Sequence, residues 1–202
     1  MDATQKLEQL SAEPHEDRIL LEGIPWWQYL AIREATENRG LKLSYLDGDL
    51  EIMSPSDLHE ESKKLLARLL ETWAVERDID LRGFGSTTWR KESGLAGLEA
   101  DECYKLGKLE PGDFPDVAIE VAVSRERVNK LAIYARLGVK EVWRWKPAAG
   151  QVVVCRLVGD HFEEHSGSAL FPDLDLAALA QFVRIGENQT QLIKRYRATL
   201  GA

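Results

Sequence analysis

The run Val117-Ala118-Ile119-Glu120-Val121-Ala122-Val123 constrains this chain more than any other stretch. All of it but Glu120 is apolar, and its alternate positions are β-branched, the character of a strand covered on both faces. A carboxylate in its middle must lose its hydration, which is costly unless a partner or a metal ion compensates. Alternation places Asp116, Ala118, Glu120 and Ala122 on one face and Val117, Ile119, Val121 and Val123 on the other. One face is therefore aliphatic core. The other holds Glu120 between alanines, with space beside its carboxylate.

A chain of 202 residues and 22.8 kDa is long enough for one substantial core. The expected organisation is a flexible N-terminal arm over residues 1–20 and one domain over residues 21–202. The apolar runs are short and broken by charge, so no membrane span is expected. The N-terminal stretch is polar and acidic, unlike a signal or transit peptide. Cys103 and Cys155 are too few and too far apart for a disulfide framework or a zinc site. A cytoplasmic protein is expected.

The net charge of -8 argues against simple electrostatic binding of nucleic acid. The charge is uneven, however. Residues 1–61 carry 14 acids against five bases, whereas residues 125–146 carry seven bases against Glu126 and Glu141. A basic segment of that kind suits either phosphate contact or a solvated helix face.

Along the chain, "IPWWQYLAIREATENRG" reads as a helix with Trp27, Leu30, Ala31 and Glu34 at helical spacing. "LKLSYLDGDLEIMSP" is a hairpin around Asp47-Gly48, a dipeptide that favours a tight primed turn. A long amphipathic helix over 57–77 follows, with Asp57 and Glu60 at capping-box spacing. Strands are expected at 79–84, 86–91 and 98–105, then the Glu120 strand, a helix over 126–137 and the strand "KEVWRWKP". Two more strands, "QVVVCRLVG" and "HFEEHSG", and two short helices complete the chain. The order predicts an α/β fold with a mixed central sheet. It has no glycine-rich phosphate loop, no Gly-x-Ser-x-Gly elbow and no His-Glu-x-x-His pair, which leaves carboxylate chemistry.

The second acid of interest lies in "LEADECYKL", where Asp101 shares a face with Glu99 and Cys103. If that strand pairs with the Glu120 strand, Asp101 and Glu120 converge on one divalent cation. Hard Mg²⁺, or Mn²⁺, suits two carboxylates with water and a substrate phosphate. Lys130, ten residues beyond Glu120, lies beside Tyr134 and Leu137 on the helical wheel. Its ammonium either assists hydrolysis at those carboxylates or merely neutralises Glu120. His59 falls on the apolar side of the long helix, where a lone histidine is more often a hydrogen-bonded core residue than a ligand. Trp143 and Trp145 share a strand face that is either buried or a dimer-forming patch, with burial the expected outcome. His161 and His165 share a parity without a carboxylate or cysteine at ligand spacing.

The segments "SYLDGDLEIMSPSDLHEESKKLLARLL", "LEADECYKL", "PDVAIEV" and "NKLAIYARLGVKEVWRWKP" occur in an order that resembles the Uma-two family of restriction-endonuclease-like proteins, a cyanobacterial-type domain of unknown function. The likeness runs from about Ser44 to Pro147. Through the PD-(D/E)XK nuclease superfamily it implies a restriction-endonuclease-like core: a mixed central sheet flanked by helices, preceded by a helix and hairpin and followed by a helical tail. It also implies metal-dependent cleavage of nucleic acid. By position, Asp101 becomes the motif aspartate, Glu120 the second metal-binding acid, Lys130 a lysine moved from strand to helix, and His59 the recurrent histidine of the first core helix. Ala122 stands at the usual lysine position, and Ala100 replaces the proline of the motif's name.

The leading expectation is a Mg²⁺- or Mn²⁺-dependent endonuclease on DNA, working as a homodimer because two subunits cut two strands. It needs no organic cofactor. The alternative is an inactive nuclease-fold scaffold or interaction protein. A metal-dependent hydrolase of small phosphate esters is a third reading that suits the acidic charge.

Overall fold

A computed structural model of the chain describes residues 16–37 and 39–201. They form two sheets with helices around and between them. β1 (Asp17–Leu21) precedes α1 (Trp26–Thr36), and β2 (Lys42–Leu46) and β3 (Asp49–Ser54) make the expected hairpin. Asp47 and Gly48 both have positive φ, 52° and 105°, as a primed two-residue turn requires. The long helix α2 (Asp57–Glu76) comes next. Then follow β4 (Leu81–Gly83), β5 (Thr88–Lys91), β6 (Ala96–Glu99), β7 (Glu102–Leu106) and β8 (Val117–Val121). Helix α3 (Lys130–Leu137) leads to β9 (Glu141–Lys146), β10 (Gln151–Val158) and β11 (His161–His165), and α4 (Leu176–Ala180) and α5 (Gln189–Thr199) end the chain.

The strands divide between an antiparallel sheet of order β1-β3-β2-β6-β5 and a mixed sheet of order β11-β10-β9-β8-β7-β4. Among the described residues, only β8 and β9 pair in parallel, joined by the crossover helix α3. The expected mixed central sheet is present, and the strands around the N-terminal hairpin form a second, antiparallel sheet beside it. The reason lies in "LEADECYKL", expected as one strand: its backbone breaks at Ala100-Asp101, so β6 joins one sheet and β7 the other.

The expected arm also needs correction. Residues 1–15 lie outside the described residues, but Asp17–Leu21 forms a strand paired with β3. Its residues pair because β3 would otherwise leave a row of open backbone groups. In α1 the buried residue is Tyr29, packed under Leu43 and Tyr45, and Trp27 stands 66% exposed. Ser56, not Asp57, caps α2, accepting a hydrogen bond from the His59 N–H; Asp57 and Glu60 fill the first turn. Helix α3 starts at Lys130 and not at 126, because Asn129 caps it by accepting from the Ala132 N–H.

Leu65, Leu66, Leu69, Leu70 and Trp73 of α2 bury against Val117, Ile119, Val121, Trp143 and Trp145 of the mixed sheet, with α4 and α5 alongside. Trp143 and Trp145 are thus core and not an exposed patch. On the opposite face of β8, α3 fills the space between the two sheets, with Ala118, Ile133, Val142 and Leu98 packed together. Glu120 points into that second, inter-sheet layer.

Candidate active site

Strand β7 runs antiparallel to β8 with Glu102 opposite Ile119 and Cys103 opposite Ala118. One step further along that register sets Asp101 across from Glu120. The break after β6 turns Asp101 inward, and its Oδ2 accepts a hydrogen bond from the Val121 N–H at 2.8 Å. The two acids are fully buried, Asp101 at 0% and Glu120 at 1% exposure. The pairing expected from the sequence is realised, but by a sheet switch and not by one long strand.

Each acid has its own cations. Lys130 Nζ donates to Glu120 Oε2 at 2.6 Å, and the Tyr134 hydroxyl donates to Glu120 Oε1. These groups lie one turn apart on the same face of α3. Asp101 Oδ1 lies 2.6 Å from Lys42 Nζ and 2.9 Å from His59 Nε2. Lys42 also donates to the Ala100 carbonyl at 3.1 Å. The other nitrogen of His59 lies 2.7 Å from Glu16 Oε1, so the ring is held between two carboxylates.

Beyond His59 the network continues to the surface. Arg18 donates to Glu16 at 2.7 Å and to Glu51 at 2.5 Å, and the Arg127 N–H donates to the other oxygen of Glu51. Ser124 receives a hydrogen bond from Arg18 and donates to Glu16. Four carboxylates thus face Arg18, Lys42, Lys130 and His59, and the cluster balances when His59 carries its proton.

That balance sets the protonation states. Burial works against the charge on His59, yet hydrogen bonds to Asp101 and Glu16 outweigh it and raise the pKa to about 9. Burial likewise pushes Glu16 up, and its bonds with His59, Ser124 and Arg18 bring it down to about 2. Burial opposes the Asp101 charge too, but Lys42, His59 and Lys130 hold it well below the usual carboxylate range. Glu120 goes the other way: burial first, then the charge of Asp101, raises it against the pull of Lys130. Lys130 is raised because Glu120 and Asp101 outweigh its burial. The two facing acids thus have their pKa values pushed apart within one buried site.

The sequence model of the Uma2 family, described as "Putative restriction endonuclease", matches residues 26–185. The chain belongs to the Uma2 family. A solved structure similar to it is that of a "putative nuclease belonging to DUF820" from Anabaena variabilis ATCC 29413, with 15% identity, a TM-score of 0.46, and coverage of 76% of this chain and 90% of that one. None of the curated proteins matches the sequence.

All four residues singled out in this Uma2 protein, His59, Asp101, Glu120 and Lys130, meet in one cluster. Lys130 is at the first position of its helix, one turn earlier than expected. The sequence reading missed Lys42, Tyr134, Glu16 and Arg18. Tyr134 was legible as the residue four positions after Lys130. Lys42 sits in the alternating strand "LKLSYL", where a polar-face lysine looks solvated, and only the second sheet packed over it buries it.

Among the described residues, no three His, Cys, Asp or Glu side chains form a metal cage. A Mg²⁺ or Mn²⁺ ion needs only two carboxylates when water and phosphate complete its shell. Asp101 Oδ1, against Lys42 Nζ and His59 Nε2 at 2.6 and 2.9 Å, and Glu120 Oε2, against Lys130 Nζ at 2.6 Å, are hard oxygens that already face cationic groups. The hard-oxygen donor set therefore fits such an ion. The neutral cluster accepts two further positive charges only by shifting a lysine or releasing a proton.

Proposed function

We propose that the protein is a Mg²⁺- or Mn²⁺-dependent endonuclease that hydrolyses phosphodiester bonds of DNA. The observation that carries this reading is the convergence of Asp101 and Glu120 across the β7–β8 register, with Lys130 on Glu120. Asp101 and Glu120 would hold the ion, which when bound supplies positive charge to the phosphate and lowers the pKa of a water.

The chain's own residues then have separable roles. Lys130 donates from its ammonium, and once drawn away from Glu120 it is free to orient a water or offset charge on a phosphate oxygen. Tyr134 fixes the Glu120 carboxylate. His59, held by Glu16, fixes Asp101 and keeps its own proton at neutral pH. Water adds its oxygen to phosphorus, the phosphorus–oxygen ester bond breaks, and the leaving oxygen takes the proton.

A cleft of about 730 Å³ lies just past the end of β8, lined by Arg18, Ser124, Arg125 and Arg127 together with Glu16, Asp17 and Glu126, and a phosphate there would reach the buried acids only after the network around Glu16 opens. Arg125 and Arg127 are exposed, and their guanidiniums have no ion-pair partner among the described residues, which suits phosphate contact. A homodimer in the cytoplasm belongs to the same proposal. Both cysteines are free and buried, which accords with a reducing compartment, and among the described residues no helix is long and apolar enough to cross a membrane.

One observation favours the inactive-scaffold alternative: Lys130 and Tyr134 already satisfy both oxygens of Glu120. Nicking of supercoiled plasmid in Mg²⁺, Mn²⁺ or EDTA separates the two. Metal-dependent nicking that disappears in folded Asp101→Asn and Glu120→Gln variants is the expected result. A wild type inert with every metal, alongside a Glu120→Gln variant of equal or greater stability, would make the protein a scaffold.

A further inference from the structure

A second polar cleft, of about 440 Å³, lies on the face of the antiparallel sheet that α1 covers. Its size is right for a nucleoside-sized ligand. Several of its polar groups lack partners, which is rare for buried polar atoms. Tyr29 is 0% exposed, and its hydroxyl has no hydrogen-bond partner. The hydroxyl reaches this position only because residue 97 is glycine: a Cβ there would come within 2.6 Å of the oxygen. Arg33 donates through Nη2 to Thr88 Oγ1 at 3.0 Å, but its buried Nε has no acceptor. Glu99, half-buried on the same wall, has no ion-pair or hydrogen-bond partner among the described residues.

The charges decide what class of ligand belongs there. A phosphate would face Glu99 and Glu37 with only Arg33 to hold it, and a metal ion would face the Arg33 guanidinium. A neutral ligand with donors and an acceptor side by side meets neither penalty. Leu41 and Leu43 add apolar wall for a flat ring.

We infer that this cleft binds a nucleobase, and that the base is guanine. Its ring N–H and exocyclic amine are donors suited to the Glu99 carboxylate, and its neighbouring carbonyl is an acceptor suited to Arg33 Nε and the Tyr29 hydroxyl. The choice of a base among neutral ligands rests on the nuclease reading. The cleft lies across the antiparallel sheet from the proposed centre and is tied to it through the chain: Glu99 lies two residues before Asp101, and Ser86, on the cleft wall, donates to the Asp101 carbonyl at 3.2 Å. An occupant would be read on the sheet face opposite Lys42, and would give the enzyme a base preference near the cut.

The test is calorimetric titration of the full chain with guanosine, cytidine, adenosine and uridine in EDTA, so that neither metal nor cleavage enters. Guanosine should bind best, and Glu99→Gln and Arg33→Gln should each weaken it by about tenfold or more. Tyr29→Phe keeps the ring stacked on Tyr45 and should weaken guanosine by a smaller factor. Circular dichroism establishes that each variant is folded, and Arg33→Lys replaces Arg33→Gln if the latter is not. No binding up to the solubility limit, equal binding of all four nucleosides, preference for another base, or unchanged guanosine affinity in folded Glu99→Gln each overturns the inference. Plasmid nicking is read separately, so an inert enzyme that binds guanosine, or an active one that does not, tells the two proposals apart.

Discussion

Glu120 and Glu141 sit on the neighbouring parallel strands β8 and β9, each only 1% exposed. Their partners could hardly differ more. Glu141 accepts from the Trp143 indole at 2.9 Å, the Ser168 hydroxyl at 2.6 Å and the Ala169 and Leu170 N–H groups at 2.6 and 3.2 Å. All four donors are neutral, and most lie on the loop that the carboxylate pins to the sheet; the one cation, Arg156 Nε, stands outside hydrogen-bond reach at 3.8 Å from Oε1. Glu120 instead meets an ammonium, a phenol and a second acid. Neutral donors tie a buried acid permanently to its fold, whereas a flexible ammonium is a partner that another cation can replace. Glu141 is thus held as a structural acid, and the proposed function asks Glu120 to exchange its partner.

The sharpest way to break that comparison is activity. Glu120→Gln should abolish metal-dependent plasmid nicking, while a folded Glu141→Gln should retain it; loss in both, with both folded, would erase the distinction. Stability gives the next largest effect. Lys130→Met strands a buried carboxylate and should cost about 3–5 kcal/mol in urea unfolding, whereas Lys130→Met with Glu120→Leu should recover most of it, because a buried ion pair is replaceable by apolar packing. A double variant as weak as the single would show that the pair itself stabilises the fold.

Proton linkage comes third. His59 has its pKa raised from 6.5 to about 9 on folding, so its contribution is fully present below about pH 6.5 and lost as pH rises through 9. The metal-free protein should lose up to about 3 kcal/mol across that window. Glu16, lowered from 4.5 to about 2, contributes above pH 4.5 and its share is lost as pH falls through 2. Denaturant midpoints against pH for wild type and His59→Gln check both signs, since the alkaline loss should vanish in the variant. Glu141→Gln, which turns an acceptor into a donor facing N–H groups, should cost about 2 kcal/mol by the same unfolding assay. Smallest is Ser56→Ala, a lost helix cap, at about 1 kcal/mol and with nicking unchanged.

Much of the candidate site was legible beforehand. The apolar run around Glu120 announced a buried acid, and the helical wheel set Lys130 and Tyr134 on one face. Asp101 was identified too, although the strand expected to carry it breaks at that residue. Lys42, Glu16 and Arg18 left no comparable signal: each looks like ordinary surface charge along its own segment.

Sequence alone determined what depends on near neighbours: alternation in β2, β3 and β8, the stripe of α2, and the primed turn at Asp47-Gly48. Local sterics and side-chain spacing act over a few residues, so they are written where they operate. Only the tertiary structure decided the division into two sheets, the folding of Asp17–Leu21 onto β3, and the burial of Lys42 against an acid 59 positions away. Those outcomes come from which surfaces exclude water together, and that is a property of the assembled layers. The charge of Lys42 is the same in either setting; its partner and its pKa are not.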